Sequence, residues 1–182
     1  MERRLVERAM QGDVEAFDML VGRIGDGLHS VARRILRDPS LAEDATQHAL
    51  LELWRNLPQL RDPERFDAWA YRLLVNACRA EARRDRRHRG SLHLLTTDAP
   101  IVPDPAARIA SLEELDRAFR QLSVEHRTVV VLVHYLDMTP KQAAEAMGTP
   151  VGTARSRLHY ALQAMRSAIE TDARAATSRG TA

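Results

Sequence analysis

The sequence predicts an all-α protein: two small helical domains, residues 1–89 and 108–170, joined by a flexible linker at 90–107 and followed by a tail, 171–182. Three observations predict this. Apolar residues recur at three- and four-residue steps in both halves, the period of a helix with one buried face. Helix starts are marked by a capping residue set before a proline, or three residues before an acid or amide. Between Gly90 and Ala107 the period lapses, and Pro100, Pro103 and Pro105 stand among Thr96, Thr97 and Asp98, the punctuation of a linker.

The first helix covers Glu2 to Met10 and ends at Gln11-Gly12. Asp13 caps a second, with Phe17, Leu20, Val21, Ile24, Leu28, Val31 and Ile35 as its apolar positions. Gly22, Gly25 and Gly27 weaken its middle by ~1 kcal/mol each relative to alanine and predict a bend. Asp38-Pro39-Ser40 closes it. Ser40 with Glu43 predicts a capping box for a third helix, Leu41 to Leu57, which Pro58 stops. Asp62-Pro63 starts a fourth, running through Phe66, Trp69, Leu73 and Ala77 into an arginine-rich end. After the linker, Ser111 and Glu114 predict a capping box for a helix bearing Leu112, Leu115, Phe119 and Leu122, and Ser123 caps the next. The run Val129-Val130-Val131-Leu132-Val133 suits a buried strand by propensity. No other strand-like run exists to pair with it, so it is read as helix. The tail after Glu170 is small and polar, and is expected to fray.

The stretch from Thr139 to Ile169 carries the strongest local signal. Thr139 N-caps a short helix beginning at Pro140, Gln142 completes the capping box, and Gly148 ends it in a left-handed conformation. Thr149-Pro150 repeats the start for a third helix with Val151, Ala154, Leu158, Ala161, Leu162, Met165 and Ile169 on one side. Arg155, Ser156, His159, Tyr160 and Gln163 take the other side, flanked by Arg157 and Arg166. This is the layout of a helix-turn-helix DNA reader. Arginine bonds a guanine edge bidentately, and Ser or Gln serves bases or phosphates. A solvated polar face is the plainer alternative.

Composition narrows the rest. Apolar residues make up 45% of the 182 residues and aromatics only 4%, so the cores must be Leu, Val, Ile and Ala. The formal charge of +2 conceals sorting: Asp38 to Asp67 holds seven acids against three arginines, whereas Arg72 to Arg89 holds seven arginines against Glu81 and Asp85. Such a basic helix end is either a nucleic-acid footprint or a terminus favoured by the helix dipole. The lone Cys78 excludes an internal disulfide and a multi-cysteine zinc site. No signal-peptide core or membrane-length apolar run is present, so a cytoplasmic protein is expected. The seven histidines lack His-Glu-x-x-His spacing, and there is neither a phosphate-binding glycine loop nor a glycine-flanked serine. No catalytic residue, metal or cofactor is expected.

The run Thr149-Pro150-Val151-Gly152-Thr153-Ala154-Arg155-Ser156-Arg157-Leu158-His159 resembles the recognition helix in region 4 of the extracytoplasmic-function (ECF) sigma factors of bacterial RNA polymerase. The first half is similar to region 2 of that family: Asp13 to Arg37 resembles its start, Leu41 to Leu57 its polymerase-binding helix and Phe66 to Arg87 its promoter-melting helix. The resemblance implies that Trp69 supports the melted strand, that Arg72 and Asn76, with Arg79, Arg83 and Arg84, contact the minus-ten element, and that the loop from Pro58 to Glu64 captures a flipped base. It implies that Thr153, Arg155, Ser156, Arg157, His159 and Tyr160 meet the minus-thirty-five element. Asp44, Gln47, His48, Leu51 and Arg55 become the candidates for the polymerase contact. Two departures stand out: His48 replaces an acid common at that position, and Tyr160 an arginine. The partners implied are core RNA polymerase, promoter DNA and an anti-sigma factor, which the family commonly has. An extended Gly90–Ala110 segment, at ~3.3 Å per residue, reaches ~70 Å, enough for promoter elements two turns of ~34 Å apart. Two other readings compete with the sigma factor: a stand-alone helix-turn-helix regulator, and a helical adaptor whose basic faces meet acidic proteins.

Overall fold

In the computed structural model, residues 2–91 and 107–179 are described, with side chains over 3–88 and 114–171. They form helices only: α1 (Glu2–Met10), α2 (Val14–Leu36), α3 (Pro39–Asn56), α4 (Phe66–Ser91), α5 (Ala107–Gln121), α6 (Val124–His134), α7 (Pro140–Met147) and α8 (Val151–Arg179), with 3-10 turns at Leu57–Gln59 and Pro63–Arg65. Of the expected linker, Gly90 and Ala107 are helical, and residues 92–106 lie outside the described residues.

Most starts follow the local chemistry. The carboxylate of Asp13 accepts from the Ala16 N–H at 3.0 Å. The Ser123 hydroxyl accepts from the His126 N–H at 3.3 Å. Thr139 and Gln142 form both halves of a capping box. Gly148, at φ 61°, closes α7, and the Thr149 N–H reaches back to the Ala144 carbonyl at 3.0 Å, the six-to-one bond of a Schellman stop.

Four local expectations are corrected. Asp38, not Ser40, caps α3: its carboxylate accepts from the Leu41 N–H at 3.0 Å, because Pro39 has no N–H to waste and fits the first turn. Helix α5 begins four residues before Ser111, which sits inside it. At the start of α8 the Thr149 hydroxyl donates to the Pro150 carbonyl, and that carbonyl takes the Ala154 N–H at 3.1 Å, so the cap moves one residue on. The segment expected to fray continues as helix to Arg179. Helix α2 runs unbroken through its three glycines.

Packing ties the two units together more closely than a pair of tethered modules. One core joins α1 to the lower ends of α2–α4 around Leu20, Leu53, Leu57 and Phe66. A second lies among α2, α3 and α4 around Leu28, Ile35, Ala45, Leu74 and Cys78, and it takes in Val131 from α6. The third belongs to the helix-turn-helix half, with Leu132, Ala144, Met147, Ala154 and Ala161, and it takes in Val75 from α4. Each half thus inserts a valine into the other's core. This explains the run Val129–Val133: α6 is buried on every side from Thr128 to Leu132 because it is covered by both halves there. Burying one such valine contributes ~1.5–3 kcal/mol.

Polar contacts line the seam. Arg37, the C-cap of α2 at φ 62°, bonds Asp116 of α5 through both guanidinium nitrogens, the second at 2.9 Å. Ser30 and Tyr135 share a 3.1 Å hydrogen bond beneath the Arg34 guanidinium, which lies 3.8 Å from the Tyr135 ring centroid. Arg65 reaches Glu145 of α7 at 2.9 Å. Replacing the α7 cap, Thr139→Ala, should lower unfolding stability by ~1 kcal/mol, read as a shift in urea midpoint with the slope unchanged.

Candidate nucleic-acid interface

Helix α8 meets the third core with Ala154, Ala161 and Met165. The opposite face presents Arg155, Ser156, His159 and Tyr160, all exposed, Tyr160 at 59%. The Ser156 hydroxyl donates to the Thr153 carbonyl at 3.0 Å, and the His159 and Tyr160 rings meet edge-on, 5.7 Å apart. Thr153 and Arg157 are half-buried at the margin. Four of the six expected positions therefore share an open face, with Thr153 at its edge. Arg157 is the exception, donating to Glu125 of α6 at 2.6 Å.

Helix α4 divides its expected contacts in the same way. Arg72, Asn76, Arg83 and Arg84 are exposed. Trp69 is half-buried against Phe66 and Ala70, so it packs and still shows an edge. With Arg72 and the Leu60–Arg65 loop it lines a cavity of about 240 Å³ whose far wall is Glu145. Arg79 departs from the others: its side chain is 14% exposed, Nε and Nη2 donate to Glu125 at 2.7 and 2.8 Å, and Nη1 donates to the Met147 carbonyl at 2.6 Å. Glu125 therefore accepts one arginine from each candidate DNA face. Burial opposes its charge, but the Arg79 hydrogen bond, with the charges of Arg79, Arg157 and Arg83, outweighs burial and holds its carboxyl below the usual range.

On α3 the side chains of Asp44, Gln47, His48, Leu51 and Arg55 are all exposed. His48 turns toward α4, where Nδ1 lies 2.9 Å from the carboxylate of Glu81, itself only 5% exposed. His48 thus braces α3 against α4. Sequence reasoning missed the apolar groove beside it. Val14, Phe17 and Val21 of α2 face Leu50, Leu51 and Trp54 of α3 around a space of about 530 Å³. Phe17 and Trp54 meet edge-on at 4.6 Å, and Val14, Leu51 and Trp54 are 58%, 50% and 40% exposed. The available signal was Leu51 and Trp54, three apart and off the stripe of Ala42, Ala45, Ala49 and Leu53 that α3 buries.

Among the described residues no cluster of His, Cys, Asp or Glu could hold a metal, and no helix is long and apolar enough to cross a membrane. A buried helical half with a basic outer stripe, joined to a helix-turn-helix half, defines a two-part DNA reader of the sigma-70 kind. The comparisons agree. Residues 20–88 match the family described as Sigma-70 region 2, and residues 112–165 match Sigma-70, region 4. The chain is 33% identical over 172 residues to the RNA polymerase sigma-E factor of Streptomyces avermitilis, covering 90% of this chain and 92% of that one. It is 31% identical over 156 residues to the ECF RNA polymerase sigma factor SigM of Mycobacterium tuberculosis, covering 86% and 78%. A solved structure of CnrH in complex with the cytosolic domain of CnrY superposes with a TM-score of 0.66 at 28% identity, over 94% of this chain and 98% of that one. The chain belongs to the ECF sigma factors of bacterial RNA polymerase. It is an alternative sigma factor, the subunit that directs the polymerase to promoters and initiates transcription there.

The depressed Glu125 carboxyl sets a pH dependence. Its contribution is complete above ~4.3, the ordinary glutamate value, and is lost as pH falls through the lower folded value. Thermal unfolding followed from neutral pH to about 3 should decline more steeply for the parent chain than for Glu125→Gln.

Proposed function

We propose how the work is divided among these surfaces. The outer face of α8 reads the duplex minus-thirty-five element through Arg155 and Ser156, with Thr153, His159 and Tyr160 beside them. Arg72, Asn76, Arg83 and Arg84 of α4 follow the minus-ten strand. The cavity beside Trp69 takes the base turned out of the stack, where an aromatic edge and the arginines Arg61, Arg65 and Arg72 suit a nucleobase and its phosphate. The observation that carries this reading is the open, basic face of α8 set opposite its buried alanine stripe, directly after a Schellman turn. Arg79 and Arg157 contact DNA in this scheme only after releasing Glu125.

Core polymerase meets α3 along Asp44, Gln47, Leu51 and Arg55, and the α2–α3 groove supplies apolar area that the polar positions lack. A protein antagonist of the anti-sigma kind covers the same groove, in line with the likeness to CnrH, which was solved with the cytosolic domain of CnrY. The chain acts in the cytoplasm, where polymerase and promoter are, and contributes no bond-making chemistry of its own.

Run-off transcription with core polymerase tests the whole reading: promoter-specific transcripts are expected, and none should form with the chain or core alone. Arg155→Ala should cost ~1–3 kcal/mol at one promoter base and leave discrimination at the others intact. An equal loss on every sequence would make it a phosphate contact. The double variant Arg83→Gln with Arg84→Gln should reduce the slope of log affinity against log salt by about 1 per phosphate contact removed, measured on promoter DNA with holoenzyme.

A further inference from the structure

We propose that the cleft between the two halves is a binding site for a compact phosphate-bearing anion. It encloses about 740 Å³ between α2, α3 and α4 on one side and α5 and α6 on the other. Four arginines line it: Arg37 and Arg86 from the first half, Arg120 and Arg127 from the second. Their charge is incompletely met. Arg37 and Arg120 both bond one carboxylate, Asp116. Asp38 and Asp85 also line the cleft, and the Asp38 carboxylate is held by the Leu41 N–H.

Arg127 is the telling residue. Its Nε is fully buried and has no hydrogen-bond partner. Burial first, then the neighbouring charges of Arg37 and Arg86, push its pKa below the usual arginine value, and no carboxylate is among the groups acting on it. A buried donor left unmet is costly, and three guanidiniums in mutual repulsion are relieved by a polyvalent anion. Arginine forks match phosphate oxygens bidentately. One carboxylate would supply a single charge, whereas a diphosphate supplies several within the same volume. Because each half provides two of the arginines, a bound diphosphate also ties the halves together, and the anion stabilises the arrangement seen here.

Inorganic pyrophosphate titrated calorimetrically into the full chain at fixed ionic strength is the test. One saturable site is expected, not displaced by equal sulfate. Arg127→Gln and Arg86→Gln should each weaken it by about tenfold or more. Arg86 is exposed, so its variant probes the site without disturbing the fold. Pyrophosphate should also raise the thermal midpoint of the parent chain and not that of Arg127→Gln. The proposal is overturned by the absence of a saturable signal, or by equal binding in the parent and both cleft variants. It is overturned as well if binding is lost in Arg83→Gln with Arg84→Gln while Arg86→Gln retains it, or if a random-sequence duplex displaces pyrophosphate one for one, which would assign these arginines to DNA backbone.

Discussion

The Glu125 carboxylate, held between Arg79 and Arg157, is the point on which the arrangement of the two halves turns. Through it α4, α6 and α8 meet, and the Arg79 bond to the Met147 carbonyl adds the end of α7. An ion pair this partly exposed contributes little net stability, since screening and desolvation consume most of the attraction, but a wrong register would strand a charge. Its effect is to select one docking of the halves from the many that a valine-lined surface would tolerate. Around it the attraction is apolar: Val75 and Val131 are each buried in the other half's core.

That docking accounts for the odd composition. With few aromatics, close approach of helices must supply the buried area, and alanines do so at Ala42, Ala45 and Ala49 on α3 and at Ala143, Ala144 and Ala146 on α7, all within 1% of complete burial. Small side chains let backbones approach and leave room for the few long ones between them. His48 fits the same scheme. The imidazole meets the buried Glu81, so the contact between α3 and α4 gains a polar partner.

Within each half the sequence was a good guide. Caps at Asp13, Ser123 and Thr139, the stop at Gly148 and the α8 stripe are local chemistry, decided within a few residues, and they read correctly except at Leu162, which the stripe claimed and which is 39% exposed. The error at Ser40 came from choosing between neighbouring polar residues either side of a proline, and that at Thr149 from assigning the cap to the hydroxyl when the Pro150 carbonyl takes the first helical bond. The seam was illegible for a different reason. Arg79 belongs by spacing to the same basic run as Arg83 and Arg84, and nothing local says that Glu125, 46 positions on, has claimed it. The groove at Trp54 was hidden similarly, because a tryptophan on a helix reads as core until the neighbouring helix is seen to leave it uncovered.

Cys78 lies at the centre of the second core with no exposed surface, and burial pushes its thiol up to about 12. At any physiological pH it is protonated and out of reach, and it is the only cysteine in the chain. Peroxide, disulfide stress or a nitrosating agent therefore finds no thiolate handle on the folded protein. Any thiol-based oxidative signal that this gene-start selector responds to has to be sensed by another molecule and relayed to it through contact.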